Sequence, residues 1–356
     1  MIKVVSDWFR RYFSDPQAVI LALLLVAGFG VVLSLGYTLA PVLASLVIAF
    51  LLEGLVLALQ RVKAPRFPAV MLVFVGFIGL LLFLFFGLLP LLWQQFTGFV
   101  NELPSMLSQG QKALMRLPEL YPDYVSMEQV QEIMAAIRTQ AGEFGSTVLS
   151  QSLASIPDLI TVVVYLILVP LLVFFFLKDK ALLLGWVTKR MPRDRALAHR
   201  VWKEMDAQIG NYVRGKFLEI IIVGLVTYVV FVFMGLRYAM LLGVITGLSV
   251  VIPYIGAAVV TIPVVLAGFF QWGWTSDFAW VVGAYLVIQA LDGNVLVPLL
   301  FSEAVNLHPV AIIVAVLVFG GIWGFWGVFF AIPLATLVKA VLNAWPHVED
   351  APPAGT

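Results

Sequence analysis

The sequence predicts an all-α polytopic membrane protein with about eight membrane segments, two of them broken or re-entrant hairpins, and a helical extramembrane insert. Hydrophobic residues make up 62% of the 356 residues and charged residues only 12%, whereas soluble domains carry about 25% charged residues. Several apolar runs also reach the roughly 20 residues that a helix needs to cross a bilayer. An ordinary soluble domain is therefore excluded, and the lipid bilayer is the expected surrounding.

Composition also excludes several function classes. The chain has no cysteine and three histidines at unrelated positions, so we expect no disulfide, metal site or cofactor. Its net charge of +1 provides no basic field for nucleic acid. No phosphate-binding Gly-x-x-x-x-Gly-Lys-Ser/Thr motif and no pairing of nucleophile with base is visible, which argues against an ATP-driven pump and against an enzyme.

Basic residues are distributed unevenly between the polar segments and predict the orientation. Residues 178–216 contain ten lysines and arginines, whereas residues 93–155 contain only Lys112, Arg116 and Arg138. Loops rich in Lys and Arg stay in the cytoplasm. We therefore expect residues 178–210 in the cytoplasm, residues 100–150 outside, and the N-terminus in the cytoplasm of an inner-membrane protein.

The apolar runs divide the chain into five regions. Residues 1–92 are expected to hold an amphipathic helix over 1–16 and three spans at about 18–36, 41–59 and 69–92, the first two joined by a turn at Pro41. Residues 93–156 would form the external helical insert. Residues 157–216 would contain the fourth span and the basic segment, including an interfacial helix. Residues 217–345 would form the transport region, beginning with a span at 217–235, and residues 346–356 a disordered tail.

Two long apolar runs contain helix-breaking residues and predict the hairpins. Residues 239–271 are too long for one span and short for two, and Pro253 with Gly256 should open the helix. Residues 310–345 are likewise too long for one span and are interrupted by the glycine-rich stretch 320–327. Broken segments build substrate sites in many transporters; the alternatives are a kinked core helix in the first run and close packing of small residues in the second.

A polar cluster separates the apolar runs 278–291 and 295–301. Asp292 is its main feature, since a carboxylate near membrane depth should face protein, water or an ion. It is the strongest candidate in the chain for an ion or proton site, and the alternative is a cap for a helix beginning near Val295. His308 before Pro309 suggests a helix cap, with a proton relay as its alternative.

Several motifs in a fixed order resemble the autoinducer-2 exporter family, also called PerM-like permeases. The matching strings are Gln208-Ile-Gly-Asn-Tyr-Val-Arg-Gly-Lys216, Val-Ile-Pro-Tyr-Ile-Gly256, Ile262-Pro263, Asp292-Gly-Asn-Val-Leu-Val-Pro298 and Leu307-His-Pro309. The resemblance implies a membrane transporter that exports small solutes or exchanges ions as a homo-oligomer. Lys216 stands where glutamine is commoner in the family, which adds a cation.

The resulting hypothesis is a transporter that moves a small solute across the inner membrane, coupled to Na⁺ or H⁺ through Asp292. A Na⁺/H⁺ antiporter and a passive channel are the alternatives; an intramembrane enzyme and a scaffold built on the external insert are weaker ones. The candidate residues of the substrate or ion pathway are Arg214, Glu219, Pro253, Tyr254, Gly256, Gln289, Asp292, Asn294, Pro298, His308 and Pro309.

Overall fold

A computed structural model describes residues 16–115, 156–190, 196–253, 255–301 and 307–344, with isolated positions between 118 and 135. Its regular elements are all helical in these ranges. In chain order they are α1 (Pro16–Arg61), α2 (Arg66–Phe83), a π-helical turn (Leu84–Leu88), α3 (Leu89–Met115), α4 (Ile156–Lys178), α5 (Lys180–Arg190), α6 (Ala196–Phe233), α7 (Ala239–Ser249), α8 (Ile255–Trp272), α9 (Ser276–Leu291), a second π-helical turn (Asp292–Leu296), α10 (Val297–Phe301), α11 (Pro309–Phe329) and α12 (Ala331–Ala344).

The prediction of a polytopic α-helical membrane protein is confirmed. Six helices of the described ranges are long and apolar enough to cross a membrane, or seven if the bent pair α4–α5 counts as one more span. This is slightly below the predicted eight because the predicted span at 18–36 has no counterpart among them, whereas each hairpin contributes one counted arm, Ile255–Trp272 or Pro309–Phe329. The amphipathic N-terminal helix, most of the insert and the tail fall outside the described residues.

The predicted turn at Pro41 is wrong, because α1 continues through it from Pro16 to Arg61. A proline removes one backbone hydrogen bond, whereas a turn in lipid would free several backbone groups at a cost of several kcal/mol each. Ser45, which is fully buried, donates to the Pro41 carbonyl at 2.5 Å and to the Val169 carbonyl of α4 at 3.3 Å. The helix is therefore supported where the sequence suggested a break.

The boundaries between regions that were expected at residues 92 and 216 lie inside helical stretches. The helical path from Arg66 to Met115 passes residue 92, and α6 joins the basic segment to the fifth span without interruption at 216. Each π-helical turn ends two residues before a proline, Pro90 in one case and Pro298 in the other. The wider turn gives the proline ring room against the preceding carbonyls, so the helical path continues past the proline.

Charged contacts identify one end of the bundle, here called the basic end. The Glu53 carboxylate, 9% exposed as a side chain, contacts Arg66 at 3.1 Å and Lys180 at 3.2 Å. Arg66 also donates to the Leu177 carbonyl at 2.9 Å. The loop after α1 and the start of the basic segment therefore lie together.

Polar contacts also define the opposite end, here called the loop end. Gln95 accepts from the Leu241 amide at 2.9 Å, and Arg237 lies 3.6 Å from Glu102. Gln271, near the end of α8, accepts from the Arg237 amide at 2.7 Å and donates to the Gly235 carbonyl at 2.7 Å. Both arms of the α7–α8 hairpin therefore end on the same side of the bundle.

The α7–α8 hairpin is consequently re-entrant and confirms the predicted break near Pro253. Its first arm, α7, has 11 residues and is about 16 Å long, roughly half of the hydrocarbon thickness. The arm runs antiparallel to α6, since Gly243 lies against Tyr228 and Gly247 against Ile220. The tip at residues 250–253 thus reaches deep into the bundle.

The second predicted break is confirmed at Gly324, whose backbone adopts φ 59° and ψ −136°. Residues other than glycine rarely adopt this conformation. Beyond the kink, Ala331 packs against Ala315 and Val316 of the first arm. The two arms therefore run antiparallel, and Ile252 of the first hairpin packs on the same cluster.

The crossing of α6 and α7 generates a stability prediction at Gly247. A Cβ there would lie 2.5 Å from the Ile220 carbonyl oxygen and 2.8 Å from the Gly224 Cα. We expect Gly247→Leu to separate the two helices and to destabilise the protein by at least about 1–3 kcal/mol, as overpacking does. Thermal unfolding in detergent measures this. Gly283→Leu in α9, where a Cβ meets no atom within 4 Å, is the matched control; equal Tm losses in both variants would contradict the prediction.

Candidate functional site

One face of α6 carries the polar residues of the candidate site. Tyr212, Lys216, Glu219 and Val223 recur at intervals of four, three and four residues, and all four are buried. This spacing places them on one side of the helix. Lys216 is 4% exposed and Glu219 is 2% exposed, so both charges are removed from lipid and water.

Lys216 and Glu219 form a buried ion pair. The Lys216 Nζ lies 2.6 Å from Glu219 Oε2, and the same ammonium lies 5.2 Å from the centroid of the Phe301 ring. An isolated charge in such surroundings is strongly unfavourable, and pairing offsets that desolvation. The pair therefore accounts for how two ionised side chains remain inside an apolar bundle.

The ammonium also binds the tip of the re-entrant hairpin. Lys216 Nζ donates to the Val250 carbonyl at 3.0 Å, and Val250 is the C-cap residue of α7. Pro253 has no amide with which to continue the helix. A cation is therefore a suitable partner for a carbonyl at this break, because carbonyl oxygens at helix C-termini carry partial negative charge.

Asp292 lies close enough to interact electrostatically with both members of the pair. It is half-buried at the first position of the second π-helical turn, and its Oδ1 is buried without a hydrogen-bond donor among the described residues. The helix does not restart at Val295, so the capping role considered from the sequence finds no hydrogen bond in the described structure. Pro298 favours the π-helical turn that begins at Asp292.

The neighbours of Asp292 divide into two groups. Gln289 precedes it by about one turn, and its Nε2 is buried without a partner in the described ranges. Asn294 and Pro298 are exposed on the other side, where Asn294 donates to the Ala290 carbonyl at 2.8 Å. Of these three neighbours, Gln289 is therefore the one that extends the buried polar surface around Asp292.

Pro253 and Gly256 lie at the hairpin tip beside a small cavity. The cavity has a volume of about 100 Å³ and an apolar lining formed by Pro253, Ile255, Ile312, Ile313 and Val316. A Cβ on Gly256 would overlap the Ser249 carbonyl, so the tip closes tightly on itself. Tyr254, the remaining candidate at the tip, lies outside the described residues.

The other predicted residues lie away from this cluster. Arg214 is exposed, with its guanidinium 5.3 Å from the Phe50 ring centroid and 3.4 Å from the Asn211 side-chain oxygen. His308 is the N-cap of α11, where its Nδ1 accepts from the Val310 amide at 3.3 Å and Pro309 follows at N1. These contacts give His308 and Pro309 a place in helix initiation.

Two features were missed in the sequence although their signals were present. Lys216 was treated only as an added cation, but its spacing of three residues from Glu219 within a continuous helix indicates a paired face. The Gly243-x-x-x-Gly247 spacing in α7 indicates close helix approach, and this approach positions the hairpin against α6. Neither spacing identifies a site by itself, because its role depends on the partner residues that the fold brings near.

The charges of the cluster indicate an affinity for protons or cations. One ammonium and two carboxylates leave a net negative charge when all three are ionised, which a proton or a monovalent cation would balance. No grouping of three or more metal-ligating side chains occurs in the part of the chain that the structure describes. The cluster is therefore suited to binding and releasing a proton or a monovalent cation.

Comparisons with known proteins identify the family of this chain. The family model described as "AI-2E family transporter" matches residues 3–347. The chain is 50% identical over 99% of both chains to "Putative permease PerM" of Escherichia coli strain K12. It is 28% identical to "Putative transport protein YueF" of Bacillus subtilis, over 84% of this chain and 82% of the relative, and 21% identical to a "Putative transport protein" of Thermotoga maritima, over 93% and 95%. The chain thus belongs to the AI-2E family of transporters, a family of permeases and not of enzymes.

Proposed function

We propose that this permease is a secondary transporter that moves a small solute across the inner membrane, with the movement coupled to H⁺ or Na⁺ at Asp292. The observation that carries the proposal is the contact between the Lys216–Glu219 pair and the tip of a re-entrant hairpin. Transporters commonly place their ion and substrate sites where broken helices meet near the bilayer midplane. A change in charge at Asp292 would act directly on the interaction that holds this tip.

The coupling follows from electrostatics within the cluster. When Asp292 is ionised, it competes with Glu219 for the Lys216 ammonium; when it is neutralised, the ammonium is left to Glu219 and the Val250 carbonyl. Charge interactions are strong in such a poorly screened interior. Binding and release of a cation would therefore tighten and loosen the hairpin tip, which alternating access requires.

The proposal includes an orientation and an assembly. The basic end would lie in the cytoplasm and the loop end outside. Lys3, Arg10 and Arg11 would keep the N-terminus in the cytoplasm. The protein would act as a homo-oligomer and export its solute.

Single cysteines test this orientation in a chain that contains none. Ser276 at the loop end and Thr188 in α5 are both exposed. We expect an impermeant maleimide to label Ser276→Cys in intact cells, and to label Thr188→Cys and Ser6→Cys only after permeabilisation. Labelling of position 188 but not 276 in intact cells would invert the orientation; labelling of position 6 would place the N-terminus outside.

The role of Asp292 predicts the effect of neutralising it. In proteoliposomes with an imposed pH or Na⁺ gradient, Asp292→Asn should assemble normally but lose the gradient dependence of solute flux, with a reduction of at least about tenfold, corresponding to 1.4 kcal/mol of coupling. Asp277→Asn, at the exposed start of α9, is the control and should behave as wild type.

The same experiment separates the alternatives. Downhill solute flux that ignores both gradients in the wild type would identify a passive channel. Exchange of Na⁺ for H⁺ without any solute would identify an antiporter. Unchanged gradient-driven flux in Asp292→Asn would remove this carboxylate from the coupling mechanism.

The hairpin tip gives a further prediction. Pro253→Ala should restore a helical amide and reduce flux while preserving membrane insertion, because a continuous helix cannot present the Val250 carbonyl to Lys216. Gly256→Leu should reduce flux more strongly, since even a Cβ overlaps the Ser249 carbonyl. Pro263→Ala, inside α8, is the control. Wild-type flux in both tip variants at equal protein levels would assign the tip to packing alone.

A further inference from the structure

We infer that the Lys216 ammonium is a built-in counter-cation, which occupies the cation position between Glu219 and the hairpin tip and makes the site selective for a proton over Na⁺. The inference rests on the proposed function, since it specifies the coupling ion of the same site. It concerns the one position in the described structure where a buried cation contacts both a carboxylate and the carbonyl of a broken helix.

The contacts of Lys216 show why an added metal cation would be excluded. Hard cations are bound by several oxygen atoms together. The oxygens available here are Glu219 Oε2, the Val250 carbonyl and the Asp292 carboxylate, and the ammonium already contacts the first at 2.6 Å and the second at 3.0 Å. A Na⁺ ion at this place would lose those ligands and would lie a few ångströms from a like charge.

The remaining charge explains why a proton is still accepted. The charged or titratable groups of the described residues that interact within this cluster are Tyr212, Lys216 and Glu219 on α6 and Asp292 on the π-helical turn. The ionised groups sum to one negative charge, and Asp292 Oδ1 has no donor. A proton on Asp292 needs no ligand shell, so it neutralises the cluster without displacing Lys216.

Removing the ammonium should therefore open the position to Na⁺. Lys216→Met keeps an unbranched side chain that is one atom shorter, and it leaves two carboxylates and the Val250 carbonyl free. The cluster then carries two negative charges when ionised, which a bound Na⁺ would reduce. Lys189→Met, at an exposed position of α5, removes a lysine without touching the site.

The experiment compares thermal unfolding of the purified protein in NaCl and in choline chloride at equal ionic strength. A ligand that binds only the folded state raises Tm with its concentration. We expect wild type and Lys189→Met to have the same Tm in both salts. Lys216→Met should show a Tm that rises with Na⁺ and saturates, and adding Glu219→Gln should abolish that rise. If Lys216→Met does not fold, Lys216→Gln, whose amide can still donate to Val250, takes its place.

Two results would overturn the inference: a Tm of the wild type that rises with Na⁺ relative to choline, or a folded Lys216 variant that does not respond to Na⁺. Neither depends on solute or on a gradient. Failure of the proposed function would appear instead as absence of gradient-dependent flux in wild-type proteoliposomes, so the two failures are distinguishable.

Discussion

The Lys216 ammonium links three parts of the bundle that no other described interaction joins at one atom. It pairs with Glu219 on its own helix, binds the carbonyl at the end of α7 and faces the ring of Phe301 on α10. A buried charge requires each of these neighbours, because an unpaired ammonium in an apolar interior is strongly destabilising. Lys216 therefore ties both the hairpin tip and α10 to α6.

The backbone around the cluster is arranged by residues that have no charge. Gly243 and Gly247 let α7 approach α6 closely enough for Val250 to reach Lys216. Pro253 ends the helical amide ladder just beyond that carbonyl, and Pro298 follows the π-helical turn that begins at Asp292. The second hairpin completes the surroundings, since Ile312 and Val316 face Pro253 across the small cavity. The two broken hairpins therefore meet at Pro253, three residues beyond the carbonyl that binds Lys216.

Much of this architecture was predictable because membrane segments are read from length, apolarity and helix-breaking residues. The breaks near Pro253 and Gly324 and the grouping of basic loops follow from such local rules. The continuity of α1 at Pro41 did not, because it depends on Ser45 and on a carbonyl of α4, far away in the sequence. Asp292 was recognised as a candidate from its isolation between apolar runs. Glu219 was also a candidate, but its pairing with Lys216 was not predicted, because both residues look like the end of a basic segment until the helix is seen to be continuous.

The claim that one buried ammonium organises the site is tested most directly by a double-mutant cycle of Lys216→Met and Glu219→Gln. The free energy of unfolding would be measured in mixed micelles of detergent and dodecyl sulfate. In the wild type, Glu219→Gln should be destabilising because the ion pair is lost. In the Lys216→Met background, where an unpaired carboxylate costs about 3–5 kcal/mol, the same substitution should be stabilising. Additive losses in the double variant would show that the two residues act independently and would contradict the account.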